Sequence, residues 1–268
     1  MAKIEGFRIK NFRVLKDVTL GRLWNQQQAE PLTPMTAVIG KNGVGKSTLF
    51  DAFGFLADAL KSGVEEACDS RGRGGFDRIR AQGQKGPIEF EVYYKEDGNA
   101  RPITYEISID VDSSGRPYVL KERLRQRRKG QKHGWPFSFL VLNSGKGVVW
   151  KGDQEGRQID EEQGDFDLLG LMESIKSGEA KEESKETDVV ELDDMRKLGI
   201  ATLGSLKQHP RISAFRKFIE GWYLSYFTPD AARSLPLAGP QKHLNIHGDN
   251  LGNVVQFMER EHPKRFQA

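Results

Sequence analysis

The residues best suited to chemistry form one run near the amino terminus: Gly40, Lys41, Asn42, Gly43, Val44, Gly45, Lys46, Ser47 and Thr48. Their G-x-x-x-x-G-K-[ST] spacing is that of a phosphate-binding loop, and we call residues 40–48 the P-loop sequence. Glycines let such a loop curl so that several backbone N–H groups point at one anion. Lys46 would then reach the β- and γ-phosphates, and the Ser47 hydroxyl would bind Mg²⁺. The pattern predicts a nucleoside triphosphate site, and the alternative is a glycine-rich turn that binds nothing.

A strand and a helix must hold this loop in place. Residues 35–39 are mostly apolar and predict a strand that leads into the loop. Residues 47–62 predict a helix, because Leu49, Phe50, Phe53, Leu56 and Leu60 recur at helical spacing. The start of this helix would add its positive N-terminal end to the phosphate site. Since the strand before a P-loop is normally buried between parallel neighbours, we expect residues 35–39 to lie in a parallel sheet.

The remaining chain predicts mostly antiparallel strands. Residues 3–10 and 14–20 read as two strands, with Asn11, Phe12 and Arg13 as the bend between them. Turn signals then separate five further strands, over residues 88–94, 103–111, 117–127, 137–143 and 148–151. These five predict an antiparallel β meander with one solvated face. Helices are predicted over residues 210–221 and from Asn250 to about residue 261.

Positive charge is concentrated between residues 121 and 132, which hold seven Lys or Arg and one Glu. Strand alternation would put Val119, Lys121, Arg123, Arg125 and Arg127 on one face, and Arg128 extends the charge into the turn. Contact with a DNA backbone through Arg123, Arg125, Arg127 and Arg128 is one interpretation of this charge. A solvated strand face is the other.

One loop and one carboxylate have open roles. The loop Arg71-Gly72-Arg73-Gly74-Gly75 would serve either as a connector or as a second phosphate contact. Glu122 would point to the drier face of its strand, where a carboxylate needs a partner that the sequence does not identify.

The composition describes a soluble chain. Of its 268 residues, 37% are hydrophobic and 29% are charged. It has no run of roughly 18 apolar residues, and its first residues lack the apolar centre of a signal peptide. The single cysteine, Cys68, excludes an internal disulfide and fits a reducing cytoplasm. The net charge of +3 is too small to predict nucleic-acid binding by itself.

Four parts are predicted along the chain. Residues 1–87 form the P-loop nucleotide-binding part, residues 88–152 the β meander, and residues 198–268 a helical segment. Between them, residues 153–197 are rich in Asp and Glu and predict a mobile acidic insertion with a short helix near residues 166–175. We expect the parts to make one composite domain.

Together these residues resemble the amino-terminal half of an ABC-type ATPase. The resemblance rests on the strand ending Ile9-Lys10-Asn11-Phe12-Arg13 and on the P-loop sequence followed by Leu49-x-Asp51-Ala52. The chain is similar in particular to RecF, to SMC proteins and to the predicted AAA-family ATPases with an ABC-like head, the AAA_21 group. Four stretches resemble that last group more specifically: Gly74-Gly75-Phe76-Asp77, Glu122-Arg123-Leu124, Ile219-Glu220-Gly221-Trp222 and Gly248-Asp249-Asn250-Leu251.

The resemblance implies an α/β P-loop NTPase of the ABC-ATPase-like head type. Such a fold would combine an antiparallel β meander, a helical carboxy-terminal part and an incomplete parallel sheet. It implies ATP and Mg²⁺ as cofactors, and two protomers that sandwich the nucleotides between them. Because residues in the first bend contact the nucleotide in related heads, it also implies such a role for Phe12 or Arg13. Phe12 would otherwise pack in the core.

The chain departs from this pattern in its catalytic half. In related heads a signature motif faces the P-loop of the other protomer, and a Walker B strand supplies an Asp for Mg²⁺ and a Glu for the attacking water. This sequence shows neither motif, so no catalytic residue is identified. We expect a truncated or split head, completed by a homodimer partner or by another chain. Alone it should bind ATP weakly and hydrolyse it poorly.

Two functions follow from the resemblance. The first is an ATP-binding ATPase head that couples ATP binding and hydrolysis to head dimerisation in a DNA-associated process, such as repair or antiphage defence. The alternative is a nucleotide-gated regulatory module that controls an effector protein without binding nucleic acid. A GTPase is disfavoured, because no Asn-Lys-x-Asp motif for reading guanine is present.

Overall fold

The computed structural model describes residues 2–26, 28–98, 100–131, 134–152, 168–177, 187–226, 229–233 and 239–266. The chain forms two compact units, Met1–Gly221 and Trp222–Ala268. The P-loop sequence and the described strands belong to the first unit. The segment 198–268, predicted as one helical part, is distributed over both units.

A sheet of eight described strands is the centre of the first unit. The strands are β1 (Lys3–Phe12), β2 (Leu15–Gly21), β3 (Ile88–Lys95), β4 (Ile103–Val111), β5 (Pro117–Gln126), β6 (Phe137–Asn143), β7 (Lys146–Trp150) and β8 (Thr187–Glu191). Their order across the sheet is β2-β1-β3-β4-β5-β6-β7-β8, and each neighbouring pair is antiparallel. The predicted five-stranded meander is therefore confirmed. β1 and β2 extend it at one edge, so residues 1–87 and 88–152 share one sheet.

The predicted parallel sheet around residues 35–39 is not found in the described part of the chain. These residues form neither strand nor helix, and Met35 and Ile39 are 87% and 94% exposed. The edges of the sheet are β2 and β8, and neither pairs with this segment. A strand needs a neighbour to satisfy its N–H and C=O groups, and none of the described strands provides one here.

Six helices of the first unit are described. They are α1 (Lys46–Ser62), α2 (Val64–Asp69), α3 (Phe76–Ile79), α4 (Leu168–Ser177), α5 (Gly199–Leu203) and α6 (Pro210–Glu220), with a 3₁₀ turn at Ser70–Gly72. The helices predicted over residues 47–62, 166–175 and 210–221 correspond to α1, α4 and α6.

Aromatic side chains fix α1 and α6 on one face of the sheet. Phe53 of α1 stacks on Phe7 of β1 with ring centroids 4.1 Å apart. Phe215 of α6 lies 5.3 Å from the Tyr94 ring and 5.0 Å from the Tyr105 ring. Burying such a side chain contributes roughly 1.5–3 kcal/mol, so these contacts hold the helices firmly on the sheet.

A buried carboxylate joins β5 to α5. Glu122 Oε1 accepts hydrogen bonds from the Tyr105 hydroxyl and the Ile200 N–H, both at 3.0 Å, and Oε2 accepts one from the Gly199 N–H at 2.5 Å. Burial raises the pKa of Glu122 to about 7, although these three hydrogen bonds oppose the rise. The prediction that Glu122 needs a partner is confirmed, and the partner is the first turn of a helix.

The acidic segment is described in part. Residues 153–167 and 178–186, which include most of the predicted mobile insertion, lie outside the described residues. The assignment of residues 187–191 to that insertion is wrong, because they form β8. There Val189 and Val190 pair with Val148 and Gly147 of β7.

The second unit contains α7 (Pro229–Ala232), α8 (Leu251–Glu261) and α9 (Pro263–Phe266). α8 begins after Asn250, as predicted, but the Asn250 side chain does not cap the helix. Its oxygen accepts from the Asn245 N–H at 2.9 Å, and its amide donates to the His243 carbonyl at 2.9 Å. Asn250 therefore organises the loop before the helix. Across the described residues, no helix has the length and apolar character needed to cross a membrane.

Candidate functional site

The P-loop sequence forms an exposed turn that leads into α1. Gly43 and Gly45 have φ angles of 83° and 101°, which favour glycine. A Cβ atom on Gly45 would also lie 3.0 Å from the side chains of Val14 and Leu15. The β1–β2 bend therefore packs against the loop, and glycine suits both the backbone and this contact.

The Lys46 side chain reaches back across the loop to its first two residues. Its Nζ donates to the carbonyl oxygens of Gly40 and Lys41 at 2.7 and 2.8 Å. Within the described residues, the backbone N–H groups of residues 40–45 donate to no acceptor, and Ser47 is exposed at the start of α1. A polyphosphate would thus meet several N–H donors, an ammonium group and a helix N-terminus. Ser47 offers a hydroxyl for Mg²⁺, so these residues fit a magnesium nucleotide.

Phe12 belongs to the core. Its side chain is fully buried, and its ring centroid lies 5.7 Å from those of Phe55 and Phe90. A ring in this position has no surface to offer a nucleotide. Of the two interpretations of Phe12, the structure therefore supports packing.

Arg13 follows Phe12 in the bend and reaches toward α1. It has a φ angle of 51°, and its N–H donates to the Ile79 carbonyl at 2.6 Å. Its guanidinium Nη2 lies 3.2 Å from Asp51 Oδ2, and the side chain is 34% exposed. Arg13 is thus a partly exposed cation whose bend touches the P-loop sequence.

A buried arginine lies on the other side of Asp51. The Arg73 side chain has no exposed surface. Its Nε donates to Asp51 Oδ1 at 3.0 Å, and its Nη1 donates to Asp58 Oδ2 at 2.8 Å and to the Ala67 carbonyl at 2.9 Å. The guanidinium also lies 5.5 Å from the Phe55 ring centroid. Asp51 and Asp58, seven positions apart on α1, thus anchor one arginine together.

The Arg71–Gly75 loop acts as a connector. Arg71 donates to both carboxylate oxygens of Asp58, at 2.7 and 2.9 Å. Burial would raise the pKa of Asp58, but the hydrogen bonds from Arg71 and Arg73 outweigh it and lower that pKa. Since Arg73 is buried and Arg71 is engaged with Asp58, the structure does not place these two cations as a second phosphate contact.

A bulge changes the predicted alternation along β5. The register against β4 shifts between Ser108 and Ile109, so Val119 lies on the opposite face of the sheet from Lys121. The prediction that Val119 shares a face with the basic residues is therefore wrong. Lys121, Arg123 and Arg125 do share one face, because their register against β4 is unbroken. On that face Lys121 is exposed, whereas Arg125 is buried.

Arg125 has a structural position. Its side chain is 5% exposed and forms an ion pair with Glu106 of β4. The guanidinium also lies 5.0 Å from the Trp24 ring centroid and 5.5 Å from that of Trp135. An arginine enclosed in this way is not presented to a DNA backbone.

The other three candidate DNA contacts are partly exposed. Arg123 lies 3.9 Å from Glu106. Arg127 donates to the carbonyl oxygens of Gly134 and Trp24, at 3.0 and 3.3 Å. Arg128 lies 5.4 Å from the Phe137 ring centroid. The structure brings these arginines to one end of β5 but gives each a contact within the chain.

A groove of about 310 Å³ crosses the face of the sheet opposite α1 and α6. Its floor includes a row of cross-strand partners, in which Arg8 is opposite Glu91, Glu91 opposite Glu106, and Glu106 opposite Arg123. Two neighbouring carboxylates are thus flanked by a cation on each side, so the groove is not a uniformly positive surface.

A protein-family model matches most of the chain. A family model described as "AAA domain, putative AbiEii toxin, Type IV TA system" matches residues 35–267. The chain belongs to this AAA-domain family. The match contains the whole P-loop sequence, and it confirms the resemblance to the AAA_21 group. Membership supports a nucleotide-binding ATPase domain. No curated protein is similar enough to count as a match.

Sequence reasoning missed two residues near the P-loop of this AAA domain. In the sequence, Asp51 is part of a motif and Arg73 is part of a basic loop, and neither pattern by itself predicts their contact. One signal was present, since Asp51 and Asp58 lie seven positions apart on the largely apolar face of α1. Such carboxylates need cationic partners, and the nearest basic loop contains Arg73.

Proposed function

We propose that this AAA domain binds ATP with Mg²⁺ in the P-loop sequence and is the nucleotide-binding part of an ATPase head. The observation that carries the proposal is the position of Lys46 inside a loop of available N–H groups at the start of α1. The ammonium group and the N–H donors would neutralise the phosphate charge, and Ser47 would ligate Mg²⁺.

We also propose that a second copy or a partner chain completes the head around the nucleotide. The exposure of Met35 and Ile39, just before the P-loop sequence, supports this idea. An apolar segment without strand partners is a surface on which further strands can pair. The groups that activate water would come from that additional part, so this chain alone would hydrolyse ATP slowly.

Two processes are candidates for coupling to the nucleotide. A DNA-associated process, such as repair or antiphage defence, would use the partly exposed Arg123, Arg127 and Arg128. A regulatory module that controls an effector protein is favoured by the burial of Arg125 and by a family description that names a toxin. DNA binding that weakens as salt rises supports the first process, and no DNA binding at low salt supports the second.

The test of the proposal is an equilibrium titration with MgATP. We expect Lys46→Ala to weaken ATP binding by about a hundredfold, because a lost charge-assisted contact to phosphate is worth about 1.5–3 kcal/mol. Lys61→Ala is the matched control and should bind ATP normally, since Lys61 is an exposed lysine in the last turn of α1, outside the P-loop sequence. Equal affinity of the wild type and Lys46→Ala would contradict the proposal.

A further inference from the structure

Two arginines contact Asp51, and they differ in how deeply their side chains are buried. Arg73 is fully buried, makes a hydrogen bond of 3.0 Å to Asp51, and is held in addition by Asp58. Arg13 is 34% exposed and contacts the other oxygen of Asp51 at 3.2 Å. Arg73 is therefore the fixed partner of Asp51, and Arg13 is the adjustable one.

The backbone of Arg13 is held close to the P-loop sequence. Its N–H is bound to the Ile79 carbonyl, so the start of the side chain is fixed. The next two residues, Val14 and Leu15, lie where a Cβ atom on Gly45 would touch them. Asp51 itself lies on α1 four positions after Ser47, which places it on the same side of the helix.

Charge balance leaves Arg13 able to serve a second anion. Arg73 already neutralises Asp51 through a direct hydrogen bond. The Nε of Arg13 is buried and has no hydrogen-bond partner among the described residues, but the side chain as a whole is 34% exposed. A phosphate group could accept from exposed guanidinium donors that Asp51 does not use, while Asp51 keeps the guanidinium aimed toward α1.

We propose that Asp51, supported by Arg73, is a positioning residue that holds Arg13 beside the P-loop sequence for contact with the nucleotide phosphates. This inference rests on the proposed function, because it assumes a nucleotide in the loop. Asp51 acts through Arg13 and touches no phosphate itself.

A double-mutant cycle tests this role. The variants are Arg13→Ala, Asp51→Asn and their combination, and the measured quantity is the dissociation constant for MgATP and for AMP. We expect Arg13→Ala to weaken ATP binding about tenfold and AMP binding less, because Arg13 acts on the outer phosphates. Asp51→Asn should weaken ATP binding in the wild type but change it less than about twofold in the Arg13→Ala background.

The possible outcomes distinguish the positioning role of Asp51 from the proposed nucleotide binding itself. An equal effect of Asp51→Asn in both backgrounds would show a merely structural role and overturn the inference. Unchanged ATP affinity of Arg13→Ala would also overturn it. Asp77→Asn, at an exposed aspartate of α3, is the matched control and should bind ATP normally. Loss of the difference between the wild type and Lys46→Ala would instead refute the proposed function.

Discussion

At the scale of single residues, burial separates structural arginines from those that can meet a ligand. Arg73 and Arg125 are both enclosed and paired with carboxylates, whereas Arg13 keeps a third of its side chain exposed. The sequence places all of them in basic stretches, and charge density alone cannot distinguish them. Their chemical roles follow from what surrounds each guanidinium.

Arg125 should therefore contribute to stability far more than its neighbour Arg123. We expect Arg125→Ala to lower the free energy of unfolding by about 3–5 kcal/mol, because it breaks a buried ion pair and removes a cation that contacts two tryptophan rings. Arg123→Ala is the matched control: it contacts the same Glu106 at 3.9 Å from a more exposed position, and should cost less than about 1 kcal/mol. Denaturant unfolding measures both values. Equal losses would show that Arg125 is not a structural residue.

The candidate site was only partly predictable at this scale. The P-loop sequence is local, so spacing alone identified Lys46, Ser47 and the glycines. The contact between Asp51 and Arg73 joins residues 22 positions apart through the folding of the basic loop onto α1. The spacing of Asp51 and Asp58 on α1 indicates that a cation is needed there, but it does not identify which arginine supplies it.

At the scale of elements, Glu122 links the sheet to a helix through a carboxylate with an unusual pKa. The folded protein keeps the Glu122 proton up to about pH 7, whereas the ordinary pKa of the group is 4.5. Its contribution to stability is thus fully present below the ordinary pKa and is lost as the pH rises through about 7. The link between β5 and α5 is accordingly sensitive to pH in this window.

We expect Glu122→Gln to flatten the dependence of stability on pH between about pH 5 and about pH 8, because the variant removes the titrating group. Glu65→Gln is the control. The hydrogen bond from Arg116 lowers the pKa of Glu65, so that group titrates below this window. Unfolding midpoints measured across the window give the comparison. If Glu122→Gln keeps the wild-type slope, another group must cause it.

The elements themselves were largely predictable, and the exceptions have physical causes. Most strands of the meander alternate in the expected way and are closed by turn residues, so their bounds were found within a few positions. β8 has two adjacent valines among polar residues, and pairing with β7 makes it a strand. Residues 35–39 have strand-forming side chains, and their apolar pattern therefore predicts a strand. No described strand pairs with them, so the strand does not form. The bulge of β5 is set by its pairing with β4 and leaves no local signal.

At the scale of the whole molecule, the first unit combines an antiparallel sheet of eight described strands with an exposed P-loop sequence. The sheet and its helices have a well-packed core, whereas the segment leading into the loop is exposed at Met35 and Ile39. Membership of the AAA-domain family supports nucleotide binding by this chain, and we propose that an assembly completes the head.

The central claim is that nucleotide phosphates bind to the backbone N–H groups of residues 40–48. Hydrogen exchange with and without MgATP tests it most directly, because it reports on those amides by position. We predict that MgATP slows exchange in residues 40–48 of the wild type and has no such effect in Lys46→Ala. Unchanged exchange in these residues under saturating MgATP, or protection confined to the groove on the opposite face of the sheet, would contradict the claim.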